Sequence, residues 1–109
     1  MTRGRRAQPV ASIEWTARAV RDLRDIEVYI GADDPAAAAR WIARIIAGAD
    51  AAARSPLAGR VVPEREEHGV REVFVRNYRV VYRVRESSIL VLTVFEGHRL
   101  FPTNTIPDE

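Results

Sequence analysis

Prolines at positions 35 and 56 bracket the run AAAARWIARIIAGADAAARS, and that run constrains the fold more than any other part of the chain. Asp34 stands where a helix N-cap is wanted and Pro35 at the first helical position, whose N–H has no intrahelical partner to lose. The alanines supply helix propensity. Trp41, Ile42, Ile45, Ile46 and Ala49 recur at helical spacing and form one apolar stripe. Pro56 stops the helix, and Gly59 belongs to the loop beyond it. Gly48 weakens the helix but is small enough to admit a neighbouring helix closely.

The segment before it repeats the pattern. Thr16 is an N-cap, and Val20, Leu23, Ile26 and Ile30 recur at helical spacing with Arg18, Arg21, Arg24, Asp25 and Glu27 mostly outside. Gly31 suits the helix end. A gap of about three residues between the two helices favours an antiparallel hairpin. Neither apolar face is wide enough to stand alone, so the hairpin needs a surface to lie on.

That surface is expected from strands. SIEW (12–15) reads as a short first strand, and PLAGRVVPEREEHG (56–69) as a loop with a brief extended piece at Val61–Val62, kept solvated by Glu64, Glu66 and Glu67. Residues 71–76 alternate, with Val73 and Val75 opposite Glu72, Phe74 and Arg76. Residues 78–86 alternate more cleanly: Tyr78, Val80, Tyr82 and Val84 on one face, Arg79, Val81, Arg83 and Arg85 on the other. ILVLTVFE (89–96) is apolar on both faces, as a covered central strand is. The expected fold is α+β: an N-terminal strand, then an antiparallel helical hairpin packed on a small antiparallel β-sheet, over the even-numbered side chains of 78–84. Trp15 and Trp41 belong to the core.

Composition bounds the chemistry. The chain has 109 residues, no cysteine and two histidines, which excludes disulfides and argues against a structural zinc site. The 17 basic residues are all arginine against 15 acids, a net charge of only +2. The charge is uneven: residues 1–12 and 71–99 are basic and the middle is mildly acidic. No apolar run has the ~20 residues of a membrane span, and the basic start lacks the apolar stretch of a signal peptide. Residues 1–12 read as a flexible basic arm, 13–101 as a single domain and 102–109 as a polar tail.

The arginine-rich face from 79 to 85 is the feature with functional content. Alternate arginines can keep a sheet face wet and prevent edge association. Three in one row repel unless acids intervene, and only Glu72 and Glu86 are near in sequence. A partner bringing carboxylates to Arg79, Arg83 and Arg85, around Val81, accounts for the row better.

Five segments in order resemble the toxins of the ParE/RelE superfamily of bacterial type II toxin–antitoxin (plasmid stabilisation) systems: ARAVRDLRDIEVYI, DPAAAARWIARI, SPLAGR, VREVFVRNYRVVYRV and ILVLTVFEGHR. The resemblance runs from about Ile13 to Arg99, with the ParE-like branch favoured by the long helical hairpin. It implies a bacterial cytoplasmic protein neutralised by a cognate ParD-like antitoxin in a hetero-oligomer, meeting operator DNA only through that antitoxin, and needing no cofactor or metal. The ParE-like branch implies inhibition of DNA gyrase by binding. The RelE-like branch implies a metal-independent, ribosome-dependent mRNA endonuclease. For the first, Arg79, Val81, Arg83 and Arg85 are the expected antitoxin contacts, with His98, Arg99 and Phe101 the expected target contacts. For the second, Arg79 and Arg83 would hold phosphate and His98 would move the proton. Many ParE-like sequences end the last strand with a histidine before the glycine; Glu96 stands there in this chain, and the basic pair is His98–Arg99.

Overall fold

The computed structural model describes residues 12–97. Residues 1–11 of the expected arm (1–12), the tail and the expected target contacts His98, Arg99 and Phe101 lie outside the described residues, while Ser12 opens the first strand.

The elements follow in the order β1 (Ser12–Trp15), α1 (Ala17–Gly31), α2 (Pro35–Arg54), a 3-10 turn (Pro56–Ala58), β2 (Arg60–Val61), a kinked 3-10 segment (Pro63–His68), β3 (Val70–Val75), β4 (Tyr78–Val84) and β5 (Ser88–Glu96). Both helices start on the caps read from the sequence. The Thr16 side chain accepts from the Ala19 N–H, the Asp34 side chain from the Ala37 N–H, and Pro35 opens α2. Each such cap is worth about 1 kcal/mol.

The sheet runs β1-β5-β4-β3-β2. β3, β4 and β5 form the expected antiparallel meander, but β1 joins β5 in parallel, Ser12 opposite Ser88 through Trp15 opposite Val91. The sheet is therefore mixed rather than wholly antiparallel. The parallel edge is fixed at the α1 cap: Thr16 N–H donates to Val91 O at 3.0 Å and its hydroxyl to Leu92 O at 3.0 Å. At that point β5 carries one extra residue, because Val81 faces Thr93 while Tyr82 faces Val91. Asp22 of α1 serves this bulge, accepting from the Thr93 hydroxyl and, at 3.0 Å, from the Val94 N–H. β5 is apolar on both faces because each side reaches a core, Ile89, Val91 and Val94 on one and Leu92 and Phe95 on the other, with the bulge shifting the alternation at Leu92.

The main core lies between the hairpin and the sheet. Tyr78, Val80 and Tyr82 pack with Ile45, Ala49, Ile89, Val91 and Val94, and Val84, Trp15 and Trp41 border them. The even-numbered face of β4 is thus the helix face, as the alternation required. Gly48 faces β3, not a helix: a Cβ there would run into the Val75 side chain. On the opposite side of the sheet Val62, Val70, Val81, Leu92 and Phe95 form a second, smaller core. Residues 60–68 close over that face, so the segment expected to be a solvated loop contributes a buried valine and, in Glu64, an ion-pair partner.

Candidate functional site

The arginine row does not form an open cationic face. Arg79 is 4% exposed and Val81 wholly buried, so the expectation that both meet an antitoxin directly is corrected. The cause lies in the β3–β4 pairing. Phe74 faces Arg79 and Glu72 faces Val81, which sets Glu72 diagonally beside Arg79 on the reverse face. Arg79 Nε donates to Glu72 Oε1 at 2.7 Å, and its terminal nitrogens reach Glu64 at 3.1 and 3.3 Å. Arg60 donates to the other oxygen of Glu72 through Nε at 2.8 Å. The Arg79 guanidinium also lies 5.0 Å from the Phe95 ring centre.

This is a charge-neutral cluster, Arg60–Glu72–Arg79–Glu64, built wholly within the chain. Burial pulls the Arg79 pKa down, but the bonds from Glu64 and Glu72 overcome it and hold it above its ordinary value. The Arg79 hydrogen bond in turn holds the Glu64 carboxyl below the usual range. Arg83 is half-buried, and Arg85 is exposed with Glu14 of β1 at 3.6 Å. The four positions of the row therefore divide: 79 and 81 are buried, 83 is half-buried and 85 lies at the surface.

The PLAGR segment is explained by Tyr82. The Tyr82 hydroxyl donates to Pro56 O at 2.7 Å, and a Cβ at position 59 would collide with that same hydroxyl. Arg60 then clasps Glu72, while Arg71 donates to Gly59 O at 2.7 Å. Pro56, Gly59 and Arg60 thus brace the sheet.

A feature not read from the sequence is an apolar cleft of about 260 Å³ between the C-terminal half of α2 and the outer part of β3. Gly48, Ala51, Ala52, Ser55, Ala58, Val73 and Phe74 line it. Phe74 is 51% exposed and Leu57 69%. The signal was present in the run of small residues on α2, which leaves that helix surface without side chains long enough to fill the space. Arg44 stands one turn before Gly48 with its guanidinium 5.3 Å from the Trp41 ring centre, and Trp41 meets Tyr78 edge-on at 5.7 Å. Among the described residues no cluster of metal-ligating side chains occurs, and no described helix is long and apolar enough to cross a membrane.

A helical hairpin on one face of a five-stranded mixed sheet, with a braced reverse face and an open cleft between α2 and β3, defines a small α+β protein. Comparison with known proteins gives the family. Residues 13–101 match the model of the ParE toxin of the type II toxin–antitoxin system parDE, and the chain belongs to that family. It is 41% identical over 92 residues to Y4kP of Sinorhizobium fredii, which carries a toxin's name, across 83% of this chain and 92% of that one. It is 34% identical over 92 residues to Toxin RelE2 of Caulobacter vibrioides, across 84% of this chain and 100% of that one. Its fold matches a chain of the chromosomal ParDE TA system from P. aeruginosa with a TM-score of 0.64 at 22% identity, covering 80% of this chain and 96% of that chain.

Proposed function

We propose that this toxin acts in the bacterial cytoplasm by binding DNA gyrase and blocking its supercoiling activity, and that a ParD-like antitoxin holds it inactive in a hetero-oligomer that reaches operator DNA through the antitoxin. Maintenance of a plasmid or chromosomal segment would follow from such a pair. The observation that carries a binding mode of action is the state of Arg79. A nuclease would aim that guanidinium at the scissile phosphate, where cations stabilise the developing charge. In this chain it is buried and bonded to Glu72 and Glu64, which leaves it badly placed for RNA. His98, Arg99 and Phe101 remain the proposed target contacts. They follow directly on Gly97, whose N–H donates to Asn77 O at the β3–β4 turn.

The likeness to Toxin RelE2 keeps a second reading in play, a ribosome-dependent mRNA endonuclease using Arg83 and His98. One experiment separates the two: expression without antitoxin, followed by assays of gyrase supercoiling and of message integrity. The gyrase reading expects lost supercoiling with intact mRNA. Codon-linked cleavage with normal supercoiling would replace it with the nuclease.

A further inference from the structure

The corner where α1 passes the end of β5 carries acids that the fold does not use. Residues 25–39 hold Asp25, Glu27, Asp33 and Asp34 and no arginine, in a chain with 17 arginines. Asp34 is taken by the α2 cap. Asp25 is exposed, and among the described residues no cation pairs with it. The course of α1 sets where these groups lie. Thr16 meets Val91 and Leu92, and Asp22 meets Thr93 and Val94, so the helix runs along β5 toward Glu96. Asp25 and Tyr29 follow Asp22 at i+3 and i+7, on the same side of the helix, about one and two turns further on. That carries Tyr29 to the end of β5, where it is 79% exposed and its neighbour Val28 66%.

A buried polar side chain opens onto the same corner. Gly97 N–H donates to Asn77 O, so the next pair, Tyr78 opposite Glu96, is of the non-hydrogen-bonded kind, whose side chains stand closest. Tyr78 faces the helices, and Glu96 shares that face. Tyr78 is only 9% exposed, yet its hydroxyl takes no hydrogen bond among the described residues. Burial raises its pKa, and the nearby Glu96 and Tyr29 raise it further, so the hydroxyl stays neutral and can accept a bond. Glu96 is half-buried and has no cation among the described residues. On the α2 side the same aromatic group is already served: Trp41 meets Tyr78 edge-on and carries the Arg44 guanidinium. The β5 side offers two carboxylates and two tyrosines with no cation.

We infer that this corner receives an arginine or lysine side chain projected by the toxin's protein target. The charged head lies between Glu96 and Asp25 and donates to the Tyr78 hydroxyl, and the stem crosses the Tyr29 ring beside Val28. The exposed Val28 and Tyr29 give the site an apolar margin, which a protein surface covers and a dissolved cation does not. The inference rests on the gyrase reading and adds the chemistry of the contact: a basic residue of the target meeting acids of α1 and β5.

Binding of the full chain to the gyrase holoenzyme of the same bacterium tests it, measured by surface plasmon resonance at several salt concentrations. The Asp25→Asn/Glu96→Gln variant, checked for native circular dichroism, should raise the Kd at least about tenfold and flatten its salt dependence, because the lost interaction is an ion pair. Tyr29→Ala should raise the Kd while leaving the salt dependence steep, because it removes a ring and no charge. If the unaltered toxin binds gyrase and both variants bind as tightly, the corner is not the contact and the gyrase reading stands. Glu96→Gln that lowers the unfolding midpoint but leaves the Kd unchanged assigns Glu96 to an ion pair within the chain, which also overturns the inference alone. A toxin that does not bind gyrase at all overturns both readings.

Discussion

Glu72 and Arg79 sit seven positions apart and meet diagonally across the β3–β4 hairpin, Oε1 to Nε at 2.7 Å, each almost wholly removed from solvent. Neither charge would be tolerable in that position alone. With Arg60 and Glu64 added, every charge in the cluster has an opposite neighbour, and Phe95 covers the guanidinium from one side. The pair matters to the fold because removing one partner strands the other.

Arg79→Ala and Glu72→Ala should each destabilise the protein by about 3–5 kcal/mol, the cost of an uncompensated buried charge. The double variant should cost less than the sum, because it leaves neither charge stranded. Urea unfolding followed by circular dichroism measures all three. Additive losses would mean that the two side chains act independently. Reduced antitoxin binding by Arg79→Ala would then report a damaged fold and not a lost contact.

Tyr82 and Gly59 give a coupled pair of a different kind. Tyr82→Phe removes the bond to Pro56 O and should cost about 1 kcal/mol. Gly59→Ala drives a methyl into the Tyr82 hydroxyl and should cost more, about 1–3 kcal/mol as overpacking does. Tyr82→Phe placed in the Gly59→Ala background should then recover part of the loss, because the clashing oxygen is gone. Recovery stays partial, since Tyr82 Cζ and Glu72 O both lie 3.0 Å from the new Cβ. A strictly additive double variant would show that the loop relieves the clash by moving away.

Much of this architecture was legible in the chain because its signals are local. Thr16, Asp34 and Pro35 mark helix starts within one turn of where they act, and Tyr78 to Val84 shows its two faces by alternation alone. The rest depends on partners distant in sequence. Ser12 pairs with Ser88, and Asp22 serves a bulge at Val94, 72 residues away. The partner of Arg79 is also written in the sequence. A turn at Arg76–Asn77 places Glu72 diagonally opposite Arg79 on the same face, so the acid that seemed merely near in sequence was the partner. Glu64 could not be found this way, because its position depends on 60–68 folding back over the sheet. The cleft has no distinct signature in the sequence, because small residues on a helix signal close packing as readily as an empty surface.

The pH dependence should be asymmetric. Burial raises the Tyr82 and Tyr78 pKa values above their ordinary 10.0, Tyr78 with a further push from Glu96. A group whose folded pKa is raised contributes stability that is complete below its unfolded pKa and is lost as pH rises through the folded one. With no lysine or cysteine, little else titrates between neutrality and pH 10. Stability should hold flat to about pH 10 and then fall. Tyr82→Phe should flatten that alkaline fall, read as thermal midpoints across the range. On the acid side, Glu64 has a lowered pKa, so its contribution is present above 4.5 and is lost as pH drops through the folded value. That contribution is small, because Glu64 is largely exposed to solvent. A steep loss already at pH 8–9 would contradict the burial of both tyrosines.

Asp22 holds the seam between the helices and the sheet, and its replacement should separate charge from hydrogen bonding. One oxygen accepts from the Thr93 hydroxyl and the Val94 N–H; the other accepts from Arg18 Nε at 3.0 Å. Asp22→Ala leaves the fully buried Thr93 hydroxyl and the bulge N–H without their acceptor, so a loss of about 2–4 kcal/mol is expected. Asp22→Asn keeps one carbonyl oxygen for the bulge and forfeits the ion pair with Arg18, a half-exposed i,i+4 pair of a kind worth about 0.5 kcal/mol. Asn should therefore retain most of the stability that Ala loses, and Arg18→Ala alone should cost little. Denaturant midpoints for the three variants decide it. If Asn is as damaging as Ala, the negative charge of Asp22, and not its acceptor geometry, is what anchors α1 to β5.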